Sequence, residues 1–379
     1  MFRPLLAAVS VAAIALVPVA WAGPALASSG WSVVPAPPSG QGGFVTGISA
    51  PTATDAWAVG DAGRSAFADH WNGTSWSQVA IPAFSCTVTT KCWVRLASVS
   101  ATAADAWVLG TYSPRGYGFV GHFALYWNGS GWTTSTSPGT ALDDLGLSNA
   151  YAVDGEYFEA WNGTTWTTSY NLPNPPGEEI GDLTAISATS ASNIWITGTY
   201  HPALSSQSYD NYSLHWNGSA WTEIPMPLPS SSDPLFDYQI NAIDAISPTN
   251  VWAIGESGDN VASYFSSGGG TPAGTLIEHY NGTSWSIVPS PATGTVPSLG
   301  GVAAVSASDV WAAGTAGGQT LTEQWNGSAW TTVTSPDPGP SDNLSSISAT
   351  SGSGIVWAAG ASSSGTLASS NPLILRLTT

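Results

Sequence analysis

Asp55-Ala56-Trp57-Ala58-Val59-Gly60, followed ten residues on by His70-Trp71-Asn72-Gly73-Thr74-Ser75-Trp76, decides how this chain folds, because both pieces recur along it. The first returns as Trp107-Val108-Leu109-Gly110, Trp195-Ile196-Thr197-Gly198, Trp252-Ala253-Ile254-Gly255, Trp311-Ala312-Ala313-Gly314 and Trp357-Ala358-Ala359-Gly360. Tyr151-Ala152-Val153 is a worn copy, and from Trp57 to Trp357 the copies lie 50 residues apart on average. The second piece returns at Trp127–Trp132, Trp161–Trp166, Trp216–Trp221 and Trp325–Trp330, with Tyr280–Trp285 as a variant. Three Trp columns account for 18 of the 20 Trp, and only Trp21 and Trp93 fall outside them. Such regularity marks the column Trp as structural. Functional residues are to be sought where the repeat breaks.

Each unit reads as four short strands. A small, half-apolar run such as 183–188 is the first. A turn carrying Asp or Asn (Asp55, Asp105, Asn193, Asn250, Asp309) leads into the Trp strand. The third strand ends at Asn-Gly, read as a two-residue hairpin with positive φ angles. The fourth stops at proline, which suits an outer edge strand. Four-stranded antiparallel units of this length are propeller blades. First strands begin near Val45, Leu96, Leu142, Leu183, Ile240, Gly301 and Leu344, so the expectation is an all-β, seven-bladed propeller. The last unit ends at Leu373–Leu377 without a fourth strand, and a spare fourth strand, Trp31–Pro35, lies near the start. Joining the two closes the ring and removes its open edges.

Composition agrees. Charged residues are only 8%, while 42 Gly, 27 Pro and 20 Trp favour turns and short strands over helices. Against 24 Asp and Glu stand 6 Lys and Arg, a net charge of −18, so nucleic acid and anionic lipid would be repelled. Met1-Phe2-Arg3, an apolar run from Leu5 to Ala22 and Ala25-Leu26-Ala27 read as a signal peptide over 1–27, leaving one secreted propeller domain over 28–379 without membrane insertion.

The Trp-Ala-Val-Gly strand and the Trp-Asn-Gly-Thr-Ser-Trp hairpin resemble kelch-type blades and the Asp-box hairpins of secreted propellers. The chain looks most similar to exported actinobacterial propellers with tandem copies of this pair. That resemblance implies a lectin-like component of a secreted complex.

The first-to-second turns and the Asn-Gly hairpins share one face and repeat almost unchanged, so that face reads as scaffold. The other face carries the second-to-third and inter-blade connections, which vary. Off-pattern aromatics and acids collect there, and variable loops on a rigid scaffold are where binding residues concentrate. Trp93, Tyr112, Tyr117, Tyr209, Tyr212, Phe236, Asp237, Tyr238, Tyr264 and Phe265 are the candidate ligand-binding residues. Flat rings beside carboxylates suit sugars and equally suit a protein surface. These aromatics could instead pack their own loops. Cys86 and Cys92 flank five residues of one loop and read as a disulfide that stiffens the approach to Trp93.

Catalytic patterns are missing. No nucleophile elbow, zinc-protease pattern or phosphate loop occurs. His70, His215 and His279 occupy one column, which marks them as structural or as blade-edge hydrogen bonders. Asp143-Asp144 and Glu178-Glu179 could face solvent, bind Ca²⁺ or serve glycosidic acid–base chemistry. The reading is a non-catalytic binding module without a cofactor, save Ca²⁺ at the acidic loops. Its partners are a glycan or protein on a cell surface or in a secreted complex, and a carbohydrate-active enzyme, hydrolase or lyase, is the alternative.

Overall fold

The computed structural model describes residues 30–37, 42–84, 92–113, 121–135, 139, 141–146, 149–169, 172–174, 177–202, 210–227, 236–259, 271–292, 294–364 and 370–378. These residues form seven four-stranded antiparallel sheets and no helix. Blade 1 is β2 (Gly43–Thr52), β3 (Asp55–Ala62), β4 (Ser65–Trp71) and β5 (Trp76–Val79). Blades 2 to 6 follow in the same order over 93–135, 141–169, 178–223, 236–287 and 298–333. Blade 7 is β26 (Ser341–Thr350), β27 (Ile355–Ser363) and β28 (Ser370–Thr378), completed by β1 (Trp31–Val33). β1 pairs with β28 through Trp31–Leu377, Ser32–Arg376 and Val33–Leu375, and Val34 N–H extends the pairing to Ile374 O at 2.9 Å. The ring closes as expected.

The repeated motifs have local physical causes. The glycine of each Trp strand faces a register shift in the inner strand. A Cβ on Gly60 would overlap Phe44 O, and one on Gly255 would overlap Gln239 O, so no side chain fits. The Trp of that strand is driven into the next blade. Trp57 meets Trp127 and Trp132 at 5.4 and 5.3 Å, and Trp357 meets Trp71 and Trp76 at 5.2 and 5.3 Å. Each blade thus keys into its neighbour by edge-on aromatic contact. Blade 3 is the exception, with Tyr151 in the Trp place and strands of only four or five residues.

The third-strand column caps these Trp. His70, His215 and His279 stack on Trp57, Trp195 and Trp252 and bond Asp55, Asn193 and Asn250 at 2.7, 2.7 and 2.8 Å. Their role is structural, as the repetition implied.

The hairpin differs from the two-residue turn read in sequence. Trp71 pairs with Trp76, so four residues turn, and only Gly73 takes positive φ (95°). Asn72 stays in the ordinary region and closes the turn with its side chain, accepting the N–H groups of Thr74 and Ser75 at 3.0 Å each. The side-chain amide oxygen does the work assigned to backbone conformation.

Candidate functional site

The seven inner strands surround a central cavity of about 320 Å³. One column of these strands ties the ring together. The hydroxyl of Ser49 accepts Ala101 N–H of the next blade, and Ser100 accepts Asp144 N–H, each at 3.0 Å. Ser187 does the same for Ala245 at 3.0 Å and Ser348 for Ala50 at 2.9 Å. In blades 3 and 5 the column holds Asp143 and Asp244, whose carboxylates accept Ala188 and Ala304 N–H at 2.6 and 2.7 Å. Blade 6 has Ala303, which offers no acceptor. A second tier reinforces the first, with Thr46, Thr184 and Ser345 each donating to an inner-strand carbonyl of the following blade at 2.7 Å.

Serine suffices for the belt, because four blades use it. Asp143 and Asp244 therefore add charge that ring closure does not require. Burial raises both to about 6, opposed by the N–H bonds they accept, and the charge of Asp143 pushes Asp244 further up. Asp144 joins them in the cavity wall. Burial raises it to about 7, against the bond from Gly146 N–H, and the charges of Asp105 and Asp143 add to the rise. Its Oδ1 accepts Gly146 N–H at 2.8 Å, while its buried Oδ2 has no partner. The cavity is an acceptor-rich, anionic hub. It lies toward the ends of the inner strands that lead into the first-to-second turns, on the side of the face read as scaffold. Among the described residues no group of three or more His, Cys, Asp or Glu is arranged to hold a metal ion.

On the variable-loop face the sequence candidates separate. Trp93 opens β6 (Trp93–Ala101), half-buried, with the Arg64 guanidinium 5.1 Å from its ring centre. Arg95 lies 3.7 Å from Asp61, so aromatic and cationic groups meet at the joint of blades 1 and 2. Tyr112 is half-buried against Phe84 and Phe123 at 6.0 and 6.3 Å. Two candidates are corrected. Tyr212 is fully buried and Tyr238 is 4% exposed. Strands β14 to β16 (Glu178–Ser190, Asn193–Pro202, Asp210–Trp216) and β18 with β19 (Phe236–Ser247, Asn250–Asp259) run further than the repeat suggests. Both rings therefore fill inter-blade cores instead of facing a ligand. Phe236 and Asp237 open β18, opposite Asp259 and Gly258. Tyr117, Tyr209, Tyr264, Phe265 and Cys86 lie outside the described residues, and Cys92 is buried beside Trp93.

Sequence reading named Asp143 only as half of the acidic pair Asp143-Asp144, outside the ligand-binding set, and passed over Asp244. The available signal was the inner-strand column itself: aligned on the Trp strand, it reads Ser, Ser, Asp, Ser, Asp, Ala, Ser.

No family model matches the chain, and no curated protein matches it. Solved structures do. YCF48 bound to D1 peptide is 15% identical, covering 94% of this chain and 99% of that one, with a TM-score of 0.58. U3-55K is 10% identical over 93% of this chain and 99% of that one, TM-score 0.59. The GH74 xyloglucanase from Xanthomonas campestris is 13% identical over 90% of this chain and 55% of that one, TM-score 0.56. These likenesses establish the propeller fold and leave the choice between binding and catalysis to the site.

Proposed function

We propose that the chain is an exported, non-catalytic binding module, lectin-like or protein-docking, which takes a hydrogen-bond-donating ligand at its hub. The observation that carries this is the replacement of Ser by Asp at two positions of a belt that Ser closes elsewhere. Carboxylates accept and never donate when ionised, so hydroxyl-rich glycans and basic side chains are the matching ligands. The overall charge of −18 favours the same neutral or cationic classes. Export rests on the signal-peptide pattern of residues 1–27. The Cys86–Cys92 bridge belongs to the same reading, and two free thiols in mass spectrometry of secreted, unreduced protein would refute it.

A second reading has its own support. Two carboxyl groups raised by burial to about 6 in one cavity are also the raw material of glycosidic acid–base chemistry. A neutral-glycan array, a panel of basic peptides and a hydrolysis screen on the matching polysaccharides separate the two. Binding without turnover is the expected result. Turnover abolished by Asp143→Asn or Asp244→Asn would replace the binding module with an enzyme.

A further inference from the structure

We infer a second ligand site, for a neutral saccharide, in the joint between blades 6 and 7 on the variable-loop face. It deepens the binding reading and rests on it, but uses none of the hub residues.

The joint holds a cavity of about 760 Å³, within the range of small-molecule pockets. Its walls come from the connection into blade 6 (Thr295, Val296), the second-to-third turn of that blade (Gly317, Gly318) and the start of β26 (Asp342, Asn343). They are tied together: Gly317 N–H donates to Thr295 O at 2.7 Å and Asp342 N–H to Gly318 O at 2.8 Å.

Asp342 is the decisive residue. It is 2% exposed, and its Oδ2 accepts Gly339 N–H at 2.8 Å. Its Oδ1, also buried, has no hydrogen-bond partner. A buried acceptor without a donor is costly, and a ligand hydroxyl relieves that cost. Val296 is a second, independent irregularity. Its φ is 53°, the only positive value outside glycine among the described residues, and its side chain is 40% exposed. A β-branched residue is held there against its preference, which sets an apolar edge on the cavity.

The donor set selects the ligand. Asn343 uses Oδ1 to accept Ala361 N–H at 2.9 Å, which leaves its Nδ2 to donate. Gly317 and Gly318, both at positive φ, carry no side chain and let a ligand approach the backbone. Among the described residues the lining holds no cationic residue, so an anion meets Asp342 there and is repelled. A wholly apolar molecule would leave Oδ1 unpaired. A pyranose supplies what remains: hydroxyls that donate to Asp342, hydroxyls that accept from Asn343 and a C–H face for Val296.

The test is saturation-transfer NMR on the full mature chain carrying Asp143→Ser and Asp244→Ser, so that the hub does not contribute and the joint alone is read. The probes are methyl glycosides of glucose, galactose, mannose and N-acetylglucosamine, with lactose and cellobiose. At least one should bind, and Asp342→Asn should weaken it about tenfold, as expected for loss of a charge-assisted bond. Because Asp342 also holds Gly339, Thr295→Trp is the second variant: Thr295 is exposed, so the fold is spared while the cavity is filled. It should abolish binding. Because the hub carboxylates are absent from this background, sugar binding that persists in it and is lost with Thr295→Trp belongs to the joint, which distinguishes failure here from failure at the hub. Three results overturn the proposal: no sugar binds, both joint variants bind like the parent, or Nα-acetyl-lysine methyl ester binds at the joint in place of sugars.

Discussion

The Trp girdle between blades and the belt around the hub are both built from residues repeated blade after blade, yet they treat deviation differently. The girdle tolerates little. Trp57, Trp107, Trp195, Trp252 and Trp357 are the largest side chains that are fully buried, each wedged against rings of the next blade. The belt asks only for a small acceptor, met by Ser in four blades and by nothing in blade 6. Where the structural demand is slight, substitution is free to serve something else. The belt is therefore where a change from Ser to Asp carries functional meaning, while the girdle's constancy reports packing.

The largest effect should come from the girdle. Trp357→Ala removes the wedge between Trp71 and Trp76 and should destabilise the ring by about 3–5 kcal/mol in denaturant unfolding. Ligand binding at the hub should persist under conditions where the variant stays folded. A cost below 1 kcal/mol would show that the girdle is not what holds the blades together.

An intermediate effect belongs to the third strands, between rim and hub. Asp69 is fully buried, and neither carboxylate oxygen has a partner. Burial raises it from 3.8 to about 7. The folded chain thus holds a proton that the unfolded chain releases near 3.8. The stability this contributes is complete below that value and is lost as pH rises through about 7. Glu278 and Glu323, raised chiefly by burial to about 8 and about 7, act in the same direction. Unfolding midpoints should accordingly fall between about pH 5 and pH 8. Asp69→Asn should flatten that slope and gain about 1–3 kcal/mol at the alkaline end, the size of one unsatisfied buried group. A midpoint that rises with pH would contradict the assignment.

Blade number, ring closure and the structural role of the His column were legible in sequence because each is written several times over. Averaging across copies cancels local noise. The binding residues are written once, and one-off signals are easily misread. Tyr212 and Tyr238 looked like loop aromatics because the repeat ends at its Gly, whereas backbone pairing carries the strands of blades 4 and 5 beyond it. The hairpin was misread for a related reason. Asn-Gly alone does not reveal that the Asn side chain, instead of its φ angle, closes the turn. Asp342 and Val296 had no sequence signal at all, since burial, a missing partner and a positive φ exist only in three dimensions.

The smallest effect tests the belt's missing link. Ala303→Ser would give Ala349 N–H the acceptor that Ser supplies in four other blades. A gain of about 0.5–1.5 kcal/mol is expected, the net value of one hydrogen bond. No gain would mean that the column hydroxyls are incidental to closure.

The most direct measurement sets stability and binding of the Asp143→Ser/Asp244→Ser double variant beside those of the parent, both carrying Thr295→Trp to close the joint cavity, by thermal melting and on the neutral-glycan and basic-peptide arrays. Ser restores the belt as other blades make it, so stability should change by no more than about 1 kcal/mol, while array binding should drop by about tenfold or more. A double variant that binds as the parent does, or one whose fold collapses, would contradict the assignment of the hub carboxylates to a ligand.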